Sequence, residues 1–183
     1  MLGKVLALLT ALALVATSMA QYRPKAGETV VRLTLQSNAQ IDILLHTKEA
    51  PKATSQIISL VQKGFYNDQR FFRVVKEPRP FLVQFGDPGS KTKDMSDRSL
   101  GEGGSGTSVP FEDSGFPNVT GAVGLATRKG DKDSGDSQFY ILLSDSRFLN
   151  GSATVFGRVV GGMDAVQKIS LGDKVTSATI VRG

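Results

Sequence analysis

The chain has no cysteine, no tryptophan and only one histidine, and each shortage excludes a class of chemistry. Without cysteine there are no disulfides, no thiolate nucleophiles and no thiolate-ligated metals. A single histidine cannot build a multi-histidine metal centre, so we expect no metal site. The formal charge of +5 is spread along the chain without a dense lysine or arginine run, which gives no indication of nucleic-acid binding. What remains is a chain of 183 residues, 40% hydrophobic, which suits one globular domain with its own core.

The first twenty residues have the layout of a secretory signal peptide. A positively charged start precedes an apolar run from Val5 to Ala16, and small residues then lead to a cleavage position after Ala20. The alternative is a membrane anchor, but the run is short for a span, which needs about 20 apolar residues. We therefore expect a signal peptide over 1–20, a polar lead-in over 21–28 and one domain over 29–183. The mature protein would be exported, periplasmic or secreted, with no stable membrane insertion.

Short strands dominate the rest of the sequence. Alternating or continuous apolar segments predict about eight of them, over residues 29–35, 41–45, 71–75, 81–88, 121–126, 138–143, 154–160 and 175–181. Helical spacing predicts two helices, one beginning at Pro51 and ending at Gly64, the other beginning at Met163. Because there is no regular alternation of strand and helix, a parallel doubly wound sheet is not expected. The pattern favours a mainly β protein, a closed eight-stranded antiparallel barrel capped by two helices.

Two of these strands, on either side of the proline-rich turn 76–80, form the stretch around which the chain is organised. As neighbours they would present four side chains together, those of Arg73, Phe81, Leu82 and Gln84. A guanidinium beside an aromatic wall and an amide is an arrangement suited to chemistry. An arginine in a strand is also commonly a solvated outward residue, so this stretch alone leaves both interpretations open.

Three other motifs invite different functions. The glycine-rich segment 101–106 lacks the lysine and Ser/Thr of a phosphate-binding loop. Ser114 would need a base to become a nucleophile, and the one histidine is the only candidate. Segment 131–136 begins like a calcium loop, but leucine stands where its bidentate glutamate is required. We interpret all three as loops and turns. Asn118 and Asn150 match the glycosylation pattern, which matters only in a host that has the machinery.

Five segments in the same order resemble the signature of the cyclophilin-type peptidyl-prolyl cis-trans isomerases. They are Phe72-Arg73-Val74 with Phe81–Pro88, Gly121–Ala126, Ser137–Ile141, Phe148–Gly151 and Val155–Val159. The resemblance covers about residues 29–181. It implies an eight-stranded antiparallel barrel with two helices and, on its outside, an open groove that binds peptides containing X-Pro.

The resemblance also implies which residues form that groove. Catalysis would fall to Arg73, oriented by Gln84. Substrate binding would fall to Phe81, Leu82, Ala126, Thr127, Gln138, Tyr140, Phe148, Leu149 and Ala153. Rotation about an amide breaks no bond, so neither a nucleophile nor a metal or other cofactor is required. In the twisted transition state the proline nitrogen regains its lone pair, and a donor aimed at it stabilises that state selectively.

The sequence departs from the family pattern at several groove positions: Phe148 for tryptophan, Thr127 for asparagine, Tyr140 for phenylalanine and Ala153 for histidine. The first predicts weak binding of the cyclic peptide cyclosporin. A buried tyrosine in the proline pocket would need a partner for its hydroxyl. The turn 76–80 is longer than usual in the family, and if it displaced Phe81 from Arg73 the groove could bind without catalysing.

Our expectation is a monomeric, exported prolyl isomerase that acts on unfolded or flexible X-Pro segments and assists the folding of exported proteins. The rival interpretation is a non-catalytic proline-peptide binding module or chaperone on the same fold. A third is a structural barrel whose arginine faces solvent.

Overall fold

The structure is a computed structural model that describes residues 21–183. The predicted signal peptide lies outside the described residues. Eight strands form one antiparallel sheet: β1 Thr29–Leu35, β2 Gln40–Leu45, β3 Arg73–Val75, β4 Leu82–Phe85, β5 Ala122–Leu125, β6 Phe139–Leu142, β7 Val155–Gly161 and β8 Val175–Arg182. Their order across the sheet is β3-β4-β6-β5-β7-β2-β1-β8. Each predicted strand is confirmed, with bounds that differ by a few residues.

Both predicted helices are present, α1 over Pro51–Gln62 and α2 over Met163–Lys168. Proline occupies the first turn of α1, where its missing N–H costs nothing. Its apolar stripe is buried, and Gly64 just beyond its end has a φ of 66°, the left-handed conformation of a helix C-cap. Neither helix between residues 21 and 183 is long and apolar enough to cross a bilayer.

The core lies on the concave face of the sheet. Its largest members are aromatic side chains that contact one another: Tyr66, Phe71, Phe85, Phe139 and Phe156. Because side chains alternate along a strand, a core residue such as Val83 in β4 leaves its neighbours Leu82 and Gln84 on the opposite, convex face. That alternation places the candidate site outside the sheet.

The closed-barrel prediction is wrong, because the sheet is open and curls into a half-barrel. Its two edge strands, β3 and β8, are not paired with each other. Near their starts the described part of the chain makes only a single isolated antiparallel bridge, between Arg70 and Lys174. Beside it the amide of Phe71 donates to the carbonyl of Asp173, and that of Val175 to the carbonyl of Gln69, each at 2.9 Å. Asp68 and Gly172 have positive φ values of 64° and 89°. A regular strand cannot pass through such residues, so the ladder does not close.

Candidate active site

A line of hydrogen-bonded side chains crosses three strands on the convex face. Arg73 of β3 stands opposite Gln84 of β4, and its Nη1 donates to Gln84 Oε1 at 3.1 Å. Gln84 Nε2 in turn donates to Gln138 Oε1 at 2.9 Å, just before β6 begins. Both glutamines are 8% exposed. The amide of Gln84 therefore fixes the guanidinium from beneath.

Arg73 itself is exposed and faces a groove. Among residues 21–183 it has no carboxylate within 4.0 Å, since the ion pairs of the described chain involve other arginines. Guanidinium carries five N–H donors, and the bond to Gln84 uses one of them. The remaining donors are available to a ligand in the groove.

An apolar pocket lies beside this guanidinium. Leu82 and Tyr140 are 4% and 5% exposed and form its floor in a cluster separate from the core. Phe81, Leu149 and Ala153 pack against that cluster and are partly buried. The groove around this pocket encloses about 840 Å³. A small apolar ring would find a desolvated seat here within reach of Arg73.

The hydroxyl of Tyr140 has the partner that burial requires. It donates to Asn118 Oδ1 at 2.6 Å. Burial raises the pKa of Tyr140 well above its ordinary value, so the hydroxyl stays protonated. The ring lies over Gly124 of β5, directly opposite in the sheet, where a side chain would collide with it. A tyrosine is therefore accommodated where the family usually has phenylalanine.

The structure brings the predicted site residues together, with two of them set apart from the main groove. Arg73, Phe81, Leu82, Gln84, Ala126, Thr127, Tyr140, Leu149 and Ala153 line it. Gln138 lines a neighbouring cavity of about 690 Å³. Phe148, 76% exposed, lies at the rim with its ring centroid 5.7 Å from that of Phe81.

Comparison with known proteins decides the family. The family model "Cyclophilin type peptidyl-prolyl cis-trans isomerase/CLD" matches residues 30–182. The chain belongs to the cyclophilin family. The predicted enzyme class, cyclophilin-type peptidyl-prolyl cis-trans isomerase, is thereby confirmed.

Individual proteins similar to this chain agree with the assignment. A "Probable peptidyl-prolyl cis-trans isomerase" of Brucella suis is 39% identical over 156 residues, which are 84% of this chain and 77% of that protein. The human "Peptidyl-prolyl cis-trans isomerase-like 1" is 33% identical over 143 residues, 75% of this chain and 78% of that one. A crystal structure of a Cryptosporidium parvum cyclophilin, determined in the presence of the dipeptide Ala-Pro, has a TM-score of 0.69 at 21% identity. The structural match covers 84% of this chain and 99% of that chain, and it shows that the two proteins share a fold.

The longer turn 76–80 does not separate the two sides of this cyclophilin's groove. The amide of Phe81 donates to the carbonyl of Val75 at 2.9 Å, so the hairpin closes in register below the turn. The turn itself is tied down on the outside, where Lys76 Nζ donates to the carbonyl of Gln167 at 2.6 Å. Phe81 and Arg73 thus line the same groove despite the insertion.

A buried carboxylate that the sequence analysis did not assign organises the second cavity. Asp87, 1% exposed, accepts hydrogen bonds from the amides of Gly89, Gly101 and Gly103. The carbonyls of Gly101 and Gly103 accept from Gln138 Nε2. Both donors of Gln138 are therefore engaged within the protein, so it acts as a strut between Gln84 and the glycine-rich loop. The one available signal was local: an aspartate before Pro88 and two residues before Gly89 is a capping pattern.

The remaining motifs of the sequence have structural surroundings. The amides of the glycine-rich loop point at Asp87 and, from Gly106, at Asp136. His46 stacks on Phe116 with ring centroids 3.8 Å apart, and within residues 21–183 no hydrogen bond joins it to Ser114. That stretch also holds no cluster of three His, Asp or Glu side chains suited to a metal. Residues 128–133 form one wall of the groove, so the segment 131–136, interpreted from sequence as a turn, contributes its first three residues to that wall.

Proposed function

We propose that this cyclophilin catalyses rotation about X-Pro bonds in exported polypeptides and that Arg73 is the donor to the prolyl nitrogen. The observation that carries the proposal is the guanidinium held by Gln84 at the edge of a desolvated apolar pocket. The proline ring would occupy the pocket over Leu82 and Tyr140. Its nitrogen would then lie on the side of the groove that Arg73 faces.

The chemistry needs only selective stabilisation of the twisted amide. The barrier to rotation about a peptide bond is about 18–20 kcal/mol because resonance stiffens the C–N bond. Twisting localises the lone pair on nitrogen, and only then can the nitrogen accept a hydrogen bond well. A bond to a charged donor is worth about 1.5–3 kcal/mol. If Arg73 makes one only in the twisted state, the rate rises by roughly ten- to a hundredfold.

We further propose broad selectivity among X-Pro sequences. Ala153 and Thr127 leave the groove wide beyond the proline seat, where the charged segment 128–133 forms its far wall. Unfolded or flexible polypeptides fit such an open groove because they can present an X-Pro bond in extended form. The Ala-Pro dipeptide used with the Cryptosporidium parvum cyclophilin supports proline peptides as the ligand class. The exposed Phe148, in place of tryptophan, would leave cyclosporin weakly bound.

The proposed setting is outside the cytoplasm, where the protein would assist the folding of exported proteins as a monomer. The support is the signal-peptide layout of residues 1–20, followed by a domain that the family model matches from residue 30. Mass spectrometry of the protein recovered from a secreting host tests this. A mature chain beginning at Gln21 is expected, and one that retains residues 1–20 would refute export by cleavage.

The decisive experiment compares the cis-to-trans rate of a short Ala-Pro peptide with the parent, Arg73→Ala and Arg98→Ala. Arg98 is exposed and lies outside the groove, so its removal controls for the loss of a positive charge. We expect a loss of about ten- to a hundredfold for Arg73→Ala alone, with peptide binding retained in an NMR titration. An unchanged rate would refute the role of Arg73. A folded parent that binds the peptide without accelerating it would be a binding module.

A further inference from the structure

A second hydrogen-bond network lies behind the groove, at the turn 147–149 that carries Phe148 and Leu149. Its centre is Asn118, which is 1% exposed and lies in the loop before β5. No part of the Arg73–Gln84–Gln138 line touches it by hydrogen bond within residues 21–183. It is therefore a separate element of the groove wall.

Asn118 holds both ends of that turn. Its backbone carbonyl accepts a hydrogen bond from the backbone amide of Ser146 at 2.8 Å, where the turn begins. Its own amide and its Nδ2 both donate to Asn150 Oδ1, at 2.8 and 3.2 Å, at the exit. One buried residue thus clasps the turn at each end. Its burial and the engagement of Nδ2 also leave Asn118 unsuited to glycosylation in the folded protein.

The same side chain reaches the floor of the proline pocket. Asn118 Oδ1 accepts from the hydroxyl of Tyr140 at 2.6 Å. Tyr140 is part of the floor, while Leu149, on the clasped turn, is part of the wall. The distance between floor and wall is consequently fixed through one amide group. The phenylalanine usual in the family has no oxygen with which to make this connection.

We propose that Asn118 is a positioning residue, and that the clasp from Tyr140 through Asn118 to Asn150 sets the width of the proline pocket and so the affinity for X-Pro peptides. Because the clasp is independent of the line that orients Arg73, loosening it raises KM and leaves kcat nearly unchanged. This inference rests on the proposed function of the groove.

The test uses Asn150, which is exposed, so that its replacement does not threaten folding. Asn150→Ala removes the acceptor for both donors of Asn118, and we expect KM for an Ala-Pro peptide to rise about three- to tenfold. Asn150→Asp restores an acceptor and is expected to recover most of the parental KM. Asp145→Ala is the control for surface contacts of the same loop: it removes two hydrogen bonds from Thr120 and the exposed ion pair with Arg147, but leaves every hydrogen bond of Asn118 in place.

Tyr140→Phe removes only the hydroxyl and supplies the second arm. Because both substitutions break one network, the double variant Tyr140→Phe/Asn150→Ala should raise KM by less than the product of the two single effects. Effects that multiply fully would show that floor and wall are not connected and would overturn the inference. An unchanged KM for Asn150→Ala would overturn it as well.

A spectroscopic reading separates loosening of the turn from a change in charge or shape. The chain has no tryptophan, so Phe148→Trp places a single tryptophan on the turn, which can be excited selectively over the three tyrosines. Adding Asn150→Ala to this background should increase the fast local component of the anisotropy decay, and an identical decay would contradict a clasp. If Arg73→Ala is inactive while Asn150→Ala keeps its parental KM, only this inference fails. If the folded parent does not accelerate the Ala-Pro peptide, the proposed function itself fails, and if Arg73→Ala keeps full activity, only the role of Arg73 fails.

Discussion

Gly124 allows the floor of the groove to exist, and Gly124→Ala is the sharpest test of that geometry. A Cβ at this position would lie 3.0 Å from Cε1 of Tyr140 and closer still to Cζ and the hydroxyl oxygen, whereas ordinary contact begins at 3.4 Å. The ring cannot shift easily, because its hydroxyl donates to Asn118 and the ring packs in the apolar cluster that includes Leu82. The new methyl must therefore displace the ring towards the groove or push β5 away from β6.

Either response disturbs the site by an amount that can be estimated. Overpacking of this kind typically costs about 1–3 kcal/mol of stability. A displacement on the order of 1 Å at a substrate-positioning group can lower a rate by about a hundredfold. We expect Gly124→Ala to lose about ten- to a hundredfold in kcat/KM while remaining folded. Adding Tyr140→Phe should not rescue it, because the ring carbon Cζ collides as well as the oxygen.

The assay measures kcat/KM on an Ala-Pro peptide and the free energy of unfolding in denaturant, side by side. Gly157→Ala is the matched control: its Cβ would lie 2.7 Å from the carbonyl oxygen of Leu44, away from the groove. We expect that variant to lose stability and keep its activity. The reasoning is refuted if Gly124→Ala retains parental activity, or if both variants lose activity in proportion to their stability.

Three further outcomes follow from contacts described above. Asp87→Ala leaves three amides without their acceptor, so a loss of about 3 kcal/mol in denaturant unfolding is expected, and parental stability would contradict it. Burial lowers the pKa of the His46 imidazole, so as the pH falls the ring is protonated in the unfolded chain before it is protonated in the folded protein. The free energy of unfolding should therefore fall as the pH drops below about 6.5. His46→Phe should remove this part of the pH dependence measured by thermal melts. Phe148→Trp should lower the Kd for cyclosporin, measured by titration calorimetry, by at least about tenfold, equivalent to roughly 1.4 kcal/mol. An unchanged Kd would show that the residue at position 148 does not limit cyclosporin binding.

The strands and helices were predictable because their signals are local. The alternation in Thr29–Leu35 and the proline and glycine at the ends of α1 each specify structure within a few residues. The closure of the sheet was not predictable in this way. It depends on whether two distant segments meet in extended form, and aspartate adopts a positive φ too rarely for the sequence to indicate one at Asp68.

The groove shows the same division between local and distant information. Arg73 and Gln84 were found because a tight hairpin pairs residues that are near in sequence. Asp87 and Asn118 were missed as organisers because their partners, such as Gly103 and Asn150, are distant in the chain. Each has an ordinary role as a loop residue when only its neighbours are considered.

The carboxylates that hold the glycine-rich loop restrict how this cyclophilin can diverge. A Cβ on Gly103 would collide with the carboxylate of Asp87, and one on Gly104 with that of Asp136. Neither glycine can mutate alone without disturbing a buried or hydrogen-bonded acid, and neither acid can be lost without freeing loop amides. We expect each glycine and its acid to be inherited as a pair, so that homologues with a side chain at either loop position will have replaced the corresponding aspartate.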